Sequence, residues 1–183
     1  MFHLKRISLM ALAIAQMIAL SIAIGSVGYF MDEMKKLAAD GLTSYHRLVD
    51  MGIYGRHEFF LTAAAIGLLC STISFIITIL NRQENPKFAA QMVTLRALCS
   101  ILILISASLL TKTEKTYAKQ KVGGCKSLKA SPSDARCGQL TVGVVFAFFS
   151  MVLFILDALI YISNLLEYPR MGFSNMDNNN AET

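Results

Sequence analysis

The residues most able to do chemistry in this sequence are an arginine and an aspartate set deep inside apolar runs. Arg96 stands between Leu95 and Ala97, and Asp157 between Leu156 and Ala158. If such runs cross a bilayer, each charge costs about 2.5–3.5 kcal/mol at a helix centre, so each calls for a compensating partner or a role in moving ions or protons. Arg96 is long enough to snorkel to the headgroups, whereas Asp157 is too short and is expected to face the protein interior. Gln16 and Thr72 are polar residues of two further apolar runs. We read Gln16, Thr72, Arg96 and Asp157 as one intramembrane polar layer, joined by interhelical hydrogen bonds and a buried ion pair that clamp the structure. Snorkelling of Arg96 and a proton or ion path through Asp157 stand as the alternatives.

Other chemistry finds little support. The three histidines, His3, His46 and His57, have no metal-ligand spacing, and there is no Gly-rich phosphate loop, Cys-x-x-Cys or Ser/His/Asp set. No histidine lies within an apolar run to hold haem or quinone. Catalytic, cofactor-binding and metal-binding residues are therefore expected to be none. Of four cysteines, Cys70 and Cys99 fall inside apolar runs, while Cys125 and Cys137 bracket the turn-rich stretch Ser131-Pro132-Ser133-Asp134. The latter pair suits a disulfide closing a small loop, with two free loop thiols as the alternative. Tyr168-Pro-Arg-Met171 fits a tyrosine-x-x-bulky-hydrophobic sorting pattern, one that is frequent by chance.

The elements that position these residues follow from hydropathy. Of 183 residues, 55% are hydrophobic and 16% charged, and the charges gather in blocks between apolar runs rather than along amphipathic faces. The net charge of +5 thus belongs to the connections, and no basic face interleaved with aromatics suggests nucleic-acid binding. Four runs reach the roughly 20 residues a spanning helix needs: 7–31, 59–80, 88–110 and 140–166. Backbone groups in hydrocarbon must bond within their own segment, so the fold class is all-α. The architecture expected is an integral membrane four-helix bundle, antiparallel and up-down-up-down.

Counting at about 1.5 Å per residue from the helix ends on one side places Arg96 and Asp157 about 12–14 Å deep, with Gln16 and Thr72 at the same level. Asn81–Lys87 is a tight turn between the second and third helices. The other two connections, 32–58 and 111–139, are long and polar and lie on one side together. Met34 to Val49 has the periodicity of a short interfacial helix, and the tail 167–183, Asn-rich at its end, reads as disordered. Lys5 and Arg6 before an apolar run also resemble a secretory signal, but the run is longer than an h-region of about 7–15 residues.

Two signals for orientation disagree. The side holding both termini carries five basic residues and the side of the long connections eleven, which by the positive-inside rule puts the long connections in the cytoplasm. A disulfide between Cys125 and Cys137 persists only on the exoplasmic or lumenal side. We follow the cysteines and expect both termini, 1–6 and 167–183, to be cytoplasmic.

The short basic start Lys5-Arg6, the tight turn, the cysteine pair in the second long connection and a fourth helix with a late acidic residue, Val144 to Tyr161 with Asp157, together resemble the MARVEL-domain tetraspan proteins over residues 5–168. Claudins are similar in helix count alone, since this chain has no Trp and no cysteine in its first long connection. The resemblance implies cytoplasmic termini and a non-catalytic membrane organiser acting in membrane apposition, cell-junction assembly or vesicle trafficking, at the plasma or a vesicle membrane. Its partners would be membrane lipids, other membrane proteins or further copies of itself, with an acidic partner for the basic stretch 112–136. The reading from another class is a small transporter or channel accessory subunit using Arg96 and Asp157.

Overall fold

The computed structural model describes residues 2–39, 53–80, 86–119 and 137–179. They form four helices: α1 (Phe2–Ala39), α2 (Ile53–Ile79), α3 (Pro86–Lys119) and α4 (Cys137–Asn179). Each contains a stretch long and apolar enough to cross a membrane: Arg6–Lys36, Gly55–Ile79, Ala90–Lys115 and Gly138–Ser163. Large aliphatic side chains such as Ile18, Leu69, Val145 and Leu159 remain exposed around the bundle. In water such a surface would drive aggregation; in a bilayer it is the lipid face. The protein is an integral, multi-pass membrane protein.

Pairwise contacts establish the arrangement. Arg6 meets Ile79 and Phe30 meets His57, so α1 and α2 run antiparallel. Arg96 meets Asp157 and Glu114 meets Thr141, which makes α3 and α4 antiparallel. A Cβ on Gly67 would lie 3.1 Å from Ile103, and one on Gly143 would lie 2.5 Å from Val27, linking α2 to α3 and α4 to α1. The helices thus form a closed square in chain order, with α1 diagonal to α3 and α2 to α4.

The helices outrun the apolar segments at several ends. α1 continues eight residues past Met31 to Ala39. There Lys36 Nζ bridges Asp32 and Glu33, at 2.8 Å each, one turn back on the same helix. Such i,i+3 and i,i+4 pairs support a helix after its hydrophobic reason has ended. Part of the expected interfacial helix, Met34 to Ala39, is therefore the end of α1, and the rest of it lies outside the described residues. α3 begins at Pro86, a first-turn position where the missing N–H costs nothing, and extends to Lys119. α4 starts at Cys137 and runs through Leu166 to Asn179, so much of the expected disordered tail is helical backbone. Pro169, three residues past the expected end at Leu166, lies inside it and cannot donate a backbone hydrogen bond.

The interior is divided in two. A larger apolar cluster, including Leu20, Val27, Phe30, Phe60, Ile103, Leu140 and Phe154, fills the half toward the long connections. A smaller one of Leu9, Met92 and Tyr161 fills the half toward the termini. Polar side chains lie between them.

Candidate functional site

The dividing layer is built from one residue on each helix. Gln16 (α1), Ser71 (α2) and Arg96 (α3) are wholly buried, and Asp157 (α4) is 1% exposed. Arg96 Nε lies 2.9 Å from Asp157 Oδ2. Arg96 Nη1 donates to Gln16 Oε1 at 3.1 Å, and Ser71 Oγ donates to the same oxygen at 3.0 Å. Gln16 Nε2 completes the ring by donating to Asp157 Oδ2 at 3.5 Å. This network sets the amide's orientation: its carbonyl faces two donors and its NH2 faces the carboxylate, and a flip would oppose like to like. The Arg96 guanidinium also sits over the Phe154 ring, 5.1 Å from its centre.

Arg96 therefore does not snorkel. A wholly buried guanidinium is tolerable because an opposite charge and an amide oxygen replace its water, and the remaining wall is an aromatic face. Satisfaction is incomplete. Among the described residues Arg96 Nη2 and Asp157 Oδ1 have no hydrogen-bond partner, and the close Nε contact is poorly aligned for a hydrogen bond. Removing either charge would leave the other stranded in a low-dielectric interior.

Thr72 does not belong to this layer. It is exposed, donates to Leu68 O at 2.9 Å, and touches Met17 Sδ at 3.7 Å. Counting residues from a helix end fixes depth but not azimuth, and one residue turns the side chain by about 100°. Ser71, one position earlier, points inward and takes the place expected of Thr72. Ala63, Gly67 and Ser71 form the close-packing face of α2: Ala63 and Ser71 are buried, and a Cβ on Gly67 would meet Ile103 and Leu20 at 3.1 and 3.2 Å. On α4, Gly143 and buried Ala147 play the same part, Gly143 facing Val27 of α1.

A second polar contact lies one turn nearer the termini. Ser74 Oγ and Tyr161 OH are 3.4 Å apart and buried, and Thr78 Oγ1 donates to Ser74 O at 2.8 Å. Sequence reasoning missed Ser71, Ser74 and Tyr161. The signal was present: Ser71, Ser74 and Thr78 recur at three and four residues along one face of α2, and Tyr161 follows Asp157 by four on α4. At the termini end, Arg6 Nη2 donates to Ile79 O at 3.1 Å, satisfying one of the free carbonyls at the end of α2. At the opposite end, Ser26 Oγ donates to Gln139 O and Thr141 Oγ1 to Glu114 Oε1, each at 2.5 Å.

The remaining sequence candidates are not brought into any site. Cys125 and the side chain of Cys137 lie outside the described residues, as do the side chains of Tyr168 and Met171. Among the described residues no group of three or more His, Cys, Asp or Glu could hold a metal ion.

No curated protein and no solved structure matches the chain significantly. The family model described as MARVEL, membrane-associating domain, matches residues 6–160. That span takes in most of α1, all of α2 and α3, the first part of α4 and every member of the polar layer, and with most of the 183 residues covered the chain belongs to the MARVEL family.

Proposed function

We propose that this protein is a non-catalytic membrane organiser, acting where membranes are apposed, joined or budded, and that its four-helix bundle presents loops and a lipid face rather than a reaction centre. The observation that carries this reading is the inward closure of the polar layer: Gln16, Ser71, Arg96 and Asp157 spend their hydrogen bonds chiefly on one another. Such a layer holds helices in register and leaves the outer surface apolar. Membership of a membrane-associating family supports the same view.

In this reading both termini are cytoplasmic and the long connections exoplasmic or lumenal, at the plasma membrane or a vesicle membrane. A Cys125–Cys137 disulfide closes the second long connection, and the basic stretch 112–136 meets an acidic partner such as anionic headgroups. Tyr168 and Met171 form a cytoplasmic sorting signal. The test is expression of the tagged chain in contacting cells. Concentration at contact sites or on vesicles supports the organiser. A uniform distribution over all membranes, unchanged by cell contact, sinks it.

One observation favours a second reading, a small transporter or channel accessory subunit: Arg96 Nη2 and Asp157 Oδ1 are unpartnered among the described residues, and Ser74, Thr78 and Tyr161 extend polar groups toward the termini side. Ion or proton flux in reconstituted vesicles that disappears with Asp157→Asn would establish it.

A further inference from the structure

Two cysteines outside the polar network lie directly beside it. Cys70 precedes Ser71 on α2, and Cys99 follows Arg96 by three residues, one turn along α3. Both carry free thiols in the larger apolar cluster, 7% and 3% exposed. The register of the two helices brings them together. Gly67 faces Ile103, and one turn onward along α2 is one turn back along antiparallel α3, which sets Cys70 opposite Cys99. Both side chains belong to the same buried cluster at this level, close enough for each thiol to influence the other.

A buried cysteine ordinarily acts as a small hydrophobe, and either residue alone would carry no more meaning than that. Two thiols facing each other across a helix interface can do something neither does singly. We propose that Cys70 and Cys99 form a peroxide-responsive dithiol that closes to an interhelical disulfide within the membrane, tying α2 to α3.

The chemistry balances with hydrogen peroxide as oxidant, a neutral molecule small enough to enter a packed bundle. One thiol gives up its proton and its sulfur attacks a peroxide oxygen; the O–O bond breaks, leaving a sulfenic acid and one water. The second sulfur then attacks the sulfenic sulfur, the S–S bond forms, and the hydroxyl departs with the second thiol proton as another water. Two thiols lose two electrons and one peroxide becomes two waters. The guanidinium of Arg96, one turn from Cys99, opposes the negative charge that develops on sulfur in the first step. Burial keeps charged cytosolic thiols from the bond, so the oxidised form outlasts a brief exposure to peroxide.

The test uses the full chain in its membrane. Membranes are exposed to graded hydrogen peroxide, quenched, denatured, alkylated with N-ethylmaleimide, and digested without reduction for mass spectrometry. The expected result is that Cys70 and Cys99 lose alkylation together, and that a peptide pair joined through these two residues appears and is abolished by dithiothreitol. The linked pair is distinct in mass from any Cys125–Cys137 product, so no substitution is needed and a folding defect cannot intervene. Full alkylation of both thiols at every peroxide dose overturns the proposal. So does conversion of one to sulfinic or sulfonic acid with no linked pair.

Discussion

Arg96 Nε lies 2.9 Å from Asp157 Oδ2, with less than 2% of either side chain exposed, and Gln16 bonds to both. The two charged residues are 61 positions apart on adjacent antiparallel helices, and the amide that joins them comes from a third. The layer they form separates two apolar clusters of unequal size. Residues on either side can pack tightly without specifying the vertical register of one helix against another, because aliphatic surfaces slide. A charge pair with one geometry cannot slide, which is why a polar level in the bundle fixes register while contributing little net stability.

Replacing one charge should therefore cost more than replacing both. Arg96→Leu and Asp157→Leu are each expected to lower bundle stability by about 3–5 kcal/mol, since each strands a buried charge. The double variant is expected to lose much less than their sum. Denaturant or thermal unfolding in detergent gives the comparison, and strictly additive losses would show that the pair is not coupled.

Gln16 and Ser71 should matter where Thr72 does not. Gln16→Leu removes the acceptor of two hydrogen bonds and the donor to Asp157, and is expected to cost about 1–3 kcal/mol. Ser71→Ala is expected to cost about 1 kcal/mol, and Thr72→Val, at an exposed position, less than half of that. The ordering of the three unfolding midpoints is the measurement; a larger effect at Thr72 than at Ser71 would contradict the inward direction assigned to Ser71.

Gly143 and Gly25 offer a paired test of helix approach. A methyl at Gly143 would stand 2.5 Å from Cγ2 of the wholly buried Val27, whose β-branched side chain has little freedom to turn away. Gly143→Ala is expected to destabilise by about 1–3 kcal/mol by pushing α4 off α1, with Val27→Ala restoring part of the loss. Gly25→Ala meets nothing within 4 Å among the described residues and is expected to be neutral or slightly stabilising, because alanine is the better helix former. Circular dichroism melts of the three variants distinguish the outcomes.

Tyr161→Phe removes one hydroxyl from the smaller apolar cluster and leaves the ring packed with Leu9 and Met92. Ser74 still has backbone acceptors within its own helix, so the expected loss is about 0.5–1 kcal/mol, well below that of Asp157→Leu. A loss equal to that of Asp157→Leu would mean that the Ser74–Tyr161 contact belongs to the central network rather than beside it.

Four spanning helices, their approximate limits and the depth of the charged residues were legible in the chain because each rests on a local quantity. Length and hydropathy decide whether a segment spans, and a rise of about 1.5 Å per residue converts position into depth. That Gln16, Arg96 and Asp157 share a level follows from this count alone. What the count lacks is rotation about each helix axis. In a run that is apolar all round, no amphipathic stripe announces the inward face, so Thr72 and Ser71 are equally plausible by depth and only packing against α1 and α3 selects Ser71. The same lack hid the facing of Cys70 and Cys99 and the small second level at Ser74 and Tyr161. Which residues must leave water, and how deep they go, follows from length and hydropathy along each segment. Which way they turn and whom they meet comes from packing, because azimuth is set by neighbouring helices and by nothing within the segment.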